Sequence, residues 1–327
     1  MQMMGAGSFV LTERHKREYA QLGYTVFEGC LPPPLIDMLR GACEELREEA
    51  RRQRGPQAQR LTKIIGTSVD AAPFDAYTQL PCLKDAFKEL ISEECEHGSH
   101  LFWTPEQEEY HAGHGVLIEP AASPYCTVWH RDWRDNVSGL PMEEWERVCT
   151  DRRYFNQTNI ALYSDSCFWI VPGSHLRPDT PEEAKLFPDR PIQLPPDLTG
   201  LLQEKGSARA SPAAIEARCL EYMRSMPGAV QLHLNPGDCC VYRNCLWHAG
   251  CYTTTAKRAT LHDLPETPEF QRWRVGRFRT SAEAVAAERA GGPKAMRNPN
   301  FESPAAAAGR FPPSEVDVRA AFPAASL

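Results

Sequence analysis

Taken as a string of apolar and polar positions, the chain changes character near residue 115. Before that point apolar residues recur at helical spacing. Thr12 stands where an N-cap would, and Gly23 where a short first helix would stop. After Pro32-Pro33-Pro34, the residues Leu35, Met38, Leu39, Ala42 and Leu46 share one helical face. Glu44, Glu45, Arg47 and Glu48 form the opposite, solvated face, and Gly55-Pro56 ends the run. A third helix is predicted from Pro81 to about Glu96, with Leu83, Phe87, Leu90 and Ile91 on its buried side. The stretch 11–110 is therefore expected to be helical.

Beyond 115 come short runs rich in β-branched and aromatic residues, separated by turn signals. They are Val116–Glu119, Tyr125–Trp129, Gln157–Tyr163, Phe168–Val171, Ala229–Leu234, Cys239–Tyr242, Ala259–Leu264 and Trp273–Arg279. Runs of this kind predict a mainly β sandwich or jelly-roll barrel with flanking helices. Pro172-Gly173-Ser174 and Asn235-Pro236-Gly237-Asp238 read as tight turns. A Pro-rich, partly helical stretch over 176–226 is too long for a simple connection and reads as a lid-like insertion. The last stretch, 281–327, has 14 alanines among 47 residues and no sustained period, so it reads as a tail on a single domain spanning 1–280.

Composition narrows the function. A net charge of −7 argues against a general nucleic-acid binder, which would show a basic face. No apolar run approaches the ~20 residues of a membrane helix. Met1 to Val10 lacks the basic and apolar regions of a signal peptide, so a cytoplasmic protein is expected. The twelve cysteines are scattered with no C-x-x-C pair, which suits reduced, buried thiols better than a structural zinc site.

The chemistry concentrates at Trp129-His130-Arg131-Asp132-Trp133. At a strand end, His130 and Asp132 would point to one face and Arg131 to the other. An imidazole and a carboxylate that converge with a distant second imidazole make the facial triad of oxygen-activating iron(II), which leaves adjacent coordination positions open. By itself H-x-D is weak, since chance supplies it about once in two such chains. The plain alternative is a strand-end His capped by an Asp. His248 supplies the distant partner, following a Pro-Gly-Asp turn and an apolar strand. Ten residues on, Arg258 opens the next strand and offers a guanidinium fork to a terminal carboxylate. Trp129, Trp133 and Arg134 flank the proposed ligands and are candidates for the substrate mouth. His97/His100 and His111/His114 could form a second metal site, but polar loop histidines are the plainer reading.

Taken in order, these features resemble the phytanoyl-CoA dioxygenase family of iron(II)- and 2-oxoglutarate-dependent oxygenases. The resemblance runs over roughly 11–265. It begins at Leu11-Thr12-Glu13-Arg14-His15 and Gly23-Tyr24-Thr25-Val26-Phe27-Glu28-Gly29, with Leu31-Pro32 after them. It continues through His130/Asp132, Ile160-Ala161-Leu162 and Val171-Pro172-Gly173-Ser174-His175, then Pro236-Gly237-Asp238, His248 and Arg258. It implies a double-stranded β-helix with helices on one side, and Fe(II), 2-oxoglutarate and O2 as reactants. It also implies His130, Asp132 and His248 as metal ligands, Arg258 as the 2-oxoglutarate anchor, and Asn159 beside the cosubstrate. His175 matches a turn histidine that shapes the fold. Where the family commonly has Asn-Gly, this chain has Ser164-Asp165-Ser166, which puts the second cosubstrate contact in question. The expected reaction oxidises a C–H bond of a small-molecule metabolite. An acyl-CoA substrate, or a ligand-binding barrel without catalysis, are the alternatives.

Overall fold

The computed structural model describes residues 9–61, 69–98, 100–104, 109–113, 115–135, 141–187, 192–203 and 210–273. The tail over 281–327, the run 274–279 and the side chains of His100, His111 and His114 lie outside the described residues.

The helices are α1 (Glu13–Leu22), α2 (Pro33–Arg54), α3 (Ala72–Thr78), α4 (Pro81–Leu90), α5 (Met142–Cys149), α6 (Pro181–Leu186), α7 (Pro196–Gln203) and α8 (Pro212–Arg224). The strands are β1 (Tyr24–Phe27), β2 (Arg60–Leu61), β3 (Glu96–Gly98), β4 (His100–Thr104), β5 (Glu109–Gly113), β6 (Val116–Ile118), β7 (Tyr125–Cys126), β8 (Asn156–Ala161), β9 (Phe168–Ile170), β10 (Val230–Gln231), β11 (Cys239–Arg243), β12 (His248–Tyr252), β13 (Ala259–Leu261) and β14 (Leu264–Glu266). None of the described helices is long and apolar enough to cross a membrane.

Helix α1 is bounded as its sequence predicts. The Thr12 hydroxyl accepts from the His15 backbone N–H, and Gly23 ends the helix at φ 81°, where a side chain would be strained. In α2 the stripe Leu35, Leu39, Ala42 and Leu46 is buried, while Met38 is 39% exposed. Arg47, expected on the solvated face, is instead buried. It pairs with Glu44 and Glu119 and donates to the Arg258 carbonyl at 2.6 Å. A long side chain can reach across the helix to acceptors that spacing alone does not show.

The stretch 11–110 is not wholly helical. β1 pairs with β11, β3 pairs with β14, and β4 pairs with β5. β1 buries Thr25 and Phe27 and leaves Tyr24 and Val26 half-buried, the period-two signature of a strand. Helix α4 ends at Leu90, short of Glu96, because the chain turns there into β3. Trp273, where the last predicted strand would begin, instead ends the described chain in a helical turn. Thr267 accepts from the Phe270 backbone N–H at 3.2 Å, and with Pro268 next it starts a helical segment over 268–273.

The core strands β6 to β13 build a double-stranded β-helix from two antiparallel sheets. One sheet has the order β1-β11-β8-β13-β6-β2 and the other β10-β9-β12-β7. Ala161, Cys240 and Tyr242 of the first pack against Phe168, Ile170 and Leu246 beside the second, so the two inner faces meet. The opposite face of the larger sheet, through Val116, Ile118, Ile160, Val241 and Leu261, packs on α1, α2 and α4. The outer face of the smaller sheet carries Trp169, Trp247, Ala249 and Cys251. Leu198, Ile215, Cys219, Tyr222 and Met223 from α7 and α8 cover it. Helices α7 and α8 of the insertion thus back the smaller sheet on the side away from His248.

Candidate active site

His130 and His248 converge because their backbones are paired. Each donates its N–H to the other's carbonyl, at 3.1 and 3.0 Å, as an isolated antiparallel bridge. Residues opposed in such a pair project to the same face, and the two ring centroids lie 4.2 Å apart. Asp132 is brought in by its own backbone N–H, which donates to the Asn244 carbonyl at 2.9 Å. The carboxylate then sits 3.5 Å from His130 Nε2 and 3.9 Å from His248 Nε2.

Both imidazoles have a fixed orientation. His130 Nδ1 lies 2.8 Å from the Val128 carbonyl, and His248 Nδ1 lies 3.0 Å from the Leu246 carbonyl. A carbonyl only accepts, so Nδ1 carries a proton in each ring and Nε2 is the nitrogen turned toward Asp132. The donor atoms of His130, Asp132 and His248 all lie within 4.8 Å of one another. Among the described residues this is the one such group of His, Cys, Asp and Glu. Burial disfavours charge on both rings. At His130 the hydrogen bond and charge of Asp132 outweigh it and raise the pKa. At His248 burial, helped by His130, pushes it down to about 4. Two imidazole nitrogens and a carboxylate, with no further His, Cys, Asp or Glu donor grouped with them in the described residues, fit a metal that keeps open positions.

Arg131 points away from the triad, as strand alternation requires, and is fully buried. Its Nη1 donates to the Ser174 carbonyl at 2.7 Å, and its Nη2 lies 2.9 Å from Asp179. Arg134 is committed to the same cluster. It binds Asp135 through Nε at 2.8 Å and both Asp179 oxygens through Nη1 at 2.9 Å. Arg134 therefore braces the ligand loop rather than lining a substrate mouth, which corrects the expectation from sequence. Trp129 is corrected likewise: flanking an inward His130, it faces outward into the α8 cluster and is fully buried there. Trp133 is half-buried at φ 67° and packs edge-on against Phe270 and Trp273, at 5.8 and 5.1 Å. Sequence reasoning passed over Asp135 and Asp179, whose only signal was a surplus of arginine in a buried motif.

Arg258 enters the barrel beside Thr260. Its Nε lies 2.7 Å from Asp165 Oδ2, which also accepts the Thr260 hydroxyl at 2.5 Å. The guanidinium sits 5.1 Å from the Tyr252 ring centroid. Arg258 Nη1 is buried with no hydrogen-bond partner among the described residues. An orphaned guanidinium N–H costs free energy unless an acceptor arrives, so this edge suits a ligand carboxylate. Asn159 lies on the inner face of β8, buried, with its Oδ1 2.7 Å from His262 Nδ1. His97, from the other histidine grouping, lies in the aromatic core, 2.7 Å from the Tyr77 hydroxyl and 5.1 Å from the Phe87 ring.

Residues 19–260 match the family model described as Phytanoyl-CoA dioxygenase (PhyH). No curated protein matches significantly. Solved structures similar to this chain include AviO1 from Streptomyces viridochromogenes Tue57, with 16% identity, 79% of this chain and 99% of that one covered, and a TM-score of 0.45. EctD from S. alaskensis, with 2-oxoglutarate and 5-hydroxyectoine, has 13% identity, 82% coverage of each chain and a TM-score of 0.47. The non-haem alpha-ketoglutarate-dependent epimerase SnoN from nogalamycin biosynthesis has 19% identity, covers 77% of this chain and 81% of its own, and has a TM-score of 0.43. The family match over most of the chain, joined to the His-Asp-His group, makes this protein a member of the phytanoyl-CoA dioxygenase family and a non-haem iron- and 2-oxoglutarate-dependent oxygenase.

Proposed function

We propose that His130, Asp132 and His248 hold Fe(II), that Arg258 takes the distal carboxylate of 2-oxoglutarate, and that Asn159 donates to the carboxylate nearest the metal. The oxidation proposed is hydroxylation of a C–H bond in a small-molecule metabolite, with succinate and CO2 as co-products. The observation that carries this reading is the pair of imidazoles whose Nδ1 atoms are held by backbone carbonyls, so that both Nε2 atoms turn toward Asp132. When bound, the iron supplies the oxidising chemistry with O2 and 2-oxoglutarate.

The protein's part is placement and exclusion of water. Phe168 and Tyr242 lie 6.0 and 5.6 Å from the His248 ring and give that side of the site an apolar wall. The Arg134–Asp135–Asp179 cluster keeps the ligand loop fixed beneath it. Asp132 is the most exposed of the three ligand side chains, at 17%, so substrate enters from its side, where Trp133 stands. No basic, phosphate-binding run marks a CoA ester, which favours a free metabolite over an acyl-CoA. Twelve cysteines without C-x-x-C pairing suit the reducing cytoplasm. The test is turnover of a metabolite extract with iron-loaded protein and 2-oxoglutarate. Substrate-dependent succinate and a metabolite heavier by one oxygen atom support the proposal. Succinate without any oxidised metabolite, whatever extract is supplied, contradicts it.

A further inference from the structure

Four polar side chains run in file across the inner face of the larger sheet. Tyr242, whose ring packs against His248, donates its hydroxyl to Gln157 Oε1 at 2.6 Å. Gln157 Nε2 lies 2.9 Å from His262 Nε2, and His262 Nδ1 lies 2.7 Å from Asn159 Oδ1. Strand register sets the file up. Tyr242 faces Gln157 and Cys240 faces Asn159 across β11 and β8, so positions 157 and 159 project from one face. His262 follows β13, whose Leu261 pairs with Ile160, so the next step of that register sets His262 opposite Asn159, within reach of both amides. All four residues are buried.

The file has a direction. The Gln157 oxygen is taken by the Tyr242 hydroxyl, so its NH2 group faces His262 and His262 Nε2 accepts. His262 is then the neutral ring protonated on Nδ1, and it donates to the Asn159 oxygen. Asn159 is left with its NH2 group to offer. Run in reverse, the same file would leave the Asn159 carbonyl oxygen facing the cavity, where it would repel a carboxylate. An amide held only by packing can turn over, because its two ends have nearly the same shape.

We propose that His262 is a positioning residue which, with Gln157 and Tyr242, locks the Asn159 amide with its NH2 group toward the 2-oxoglutarate carboxylate beside the iron. This rests on the reading of Asn159 as a cosubstrate contact. The competing account is a satisfied polar core that holds the sheet together and has no bearing on cosubstrate. A coupled network and two independent effects differ in a double-mutant cycle.

The test uses full-length protein under anaerobic conditions with saturating Fe(II). Titration with 2-oxoglutarate, followed by the visible charge-transfer absorbance of the chelate, gives its Kd without turnover, and iron affinity is measured separately. His262→Phe and Asn159→Ala should each weaken 2-oxoglutarate about tenfold with iron affinity unchanged, and the double variant should lose about tenfold, not about a hundredfold. His262→Gln should restore binding to within about threefold, since its amide can accept from Gln157 and donate to Asn159 in the same order. Tyr242→Phe removes only the donor that sets the direction; it should cost about threefold, and it carries the test if His262→Phe does not fold. Additive losses, or normal affinity in His262→Phe while Asn159→Ala is weak, overturn the role of His262. Normal affinity in Asn159→Ala removes the cosubstrate reading of that residue, and the lock with it.

Discussion

Arg258 and Asp165, 93 positions apart in the chain, meet inside the barrel through Arg258 Nε and Asp165 Oδ2 at 2.7 Å, while Arg258 Nη1 is buried with no hydrogen-bond partner among the described residues. The proposed anchor therefore has a resident counter-ion on one edge and presents the other. Arg258→Ala should weaken 2-oxoglutarate by about 1.5–3 kcal/mol, roughly 10- to 150-fold, and leave iron affinity unchanged. It should also destabilise the fold by about 3–5 kcal/mol, because Asp165 is stranded without its partner. The double variant Arg258→Ala/Asp165→Asn should regain much of that stability and none of the affinity. Chelate absorbance and chemical denaturation read the two effects separately. Unchanged 2-oxoglutarate affinity in Arg258→Ala would move the anchor elsewhere, with Lys257 next to be tried.

The same pair has a pH signature. Burial alone would raise the Asp165 carboxyl, but the Arg258 charge, the Thr260 hydroxyl and the Cys167 N–H outweigh it and hold the group below its ordinary 3.8. A folded pKa below the unfolded one adds stability that is complete above the unfolded value and lost as pH falls through the folded value. The stability gap between the natural protein and Asp165→Asn should thus stay constant from about pH 8 to 5 and shrink below about pH 4. Denaturant midpoints across that range measure it; a gap that changes between pH 5 and 8 would speak against an ionised pair.

Gly23 predicts a stability effect far from the metal. It closes α1 at φ 81°, and a Cβ there would lie 2.5 Å from His175 Nδ1. Gly23→Ala should cost about 1–2 kcal/mol for the left-handed backbone and more for the clash. In a His175→Ala background only the backbone cost should remain. Equal costs in both backgrounds would mean that the histidine yields freely.

Trp133 inverts the usual order of small substitutions. It holds φ 67° directly after Asp132, with its ring against Phe270 and Trp273. Trp133→Ala loses the ring contacts and keeps the strain, whereas Trp133→Gly loses the contacts and relaxes it. The glycine variant should be the more stable of the two by about 1 kcal/mol. Thermal denaturation decides the order, and an alanine variant equal to or better than the glycine one would show that the strain is not real.

Much of this site was legible in the sequence because its parts sit at strand ends. His130, Asp132, His248 and Arg258 occupy positions that period-two alternation and turn residues mark out. The same alternation could have placed Trp129 on the outer face, since its neighbour His130 points inward. The Arg258–Asp165 pair was not legible, because nothing local to either residue tells which distant strand it will meet. Arg134 misled for a related reason: an arginine beside a metal motif looks free until Asp179, from beyond the next two strands, is seen to bind it. The helical segment over 268–273 was hidden by its aromatic residues, which suit strands, although Thr267-Pro268 is a helix-start signal. Strands β3 to β5 were missed because they follow a helical stretch without a Gly or Pro break that announces the change.

The most direct test of the central claim is anaerobic addition of Fe(II) and 2-oxoglutarate to the purified protein, read in the visible spectrum. A weak charge-transfer band should form with the natural protein. It should be absent from His130→Ala, Asp132→Ala and His248→Ala, each of which removes one of the three donors gathered within 4.8 Å. No band with the natural protein, or an undiminished band in the three variants, would contradict the account.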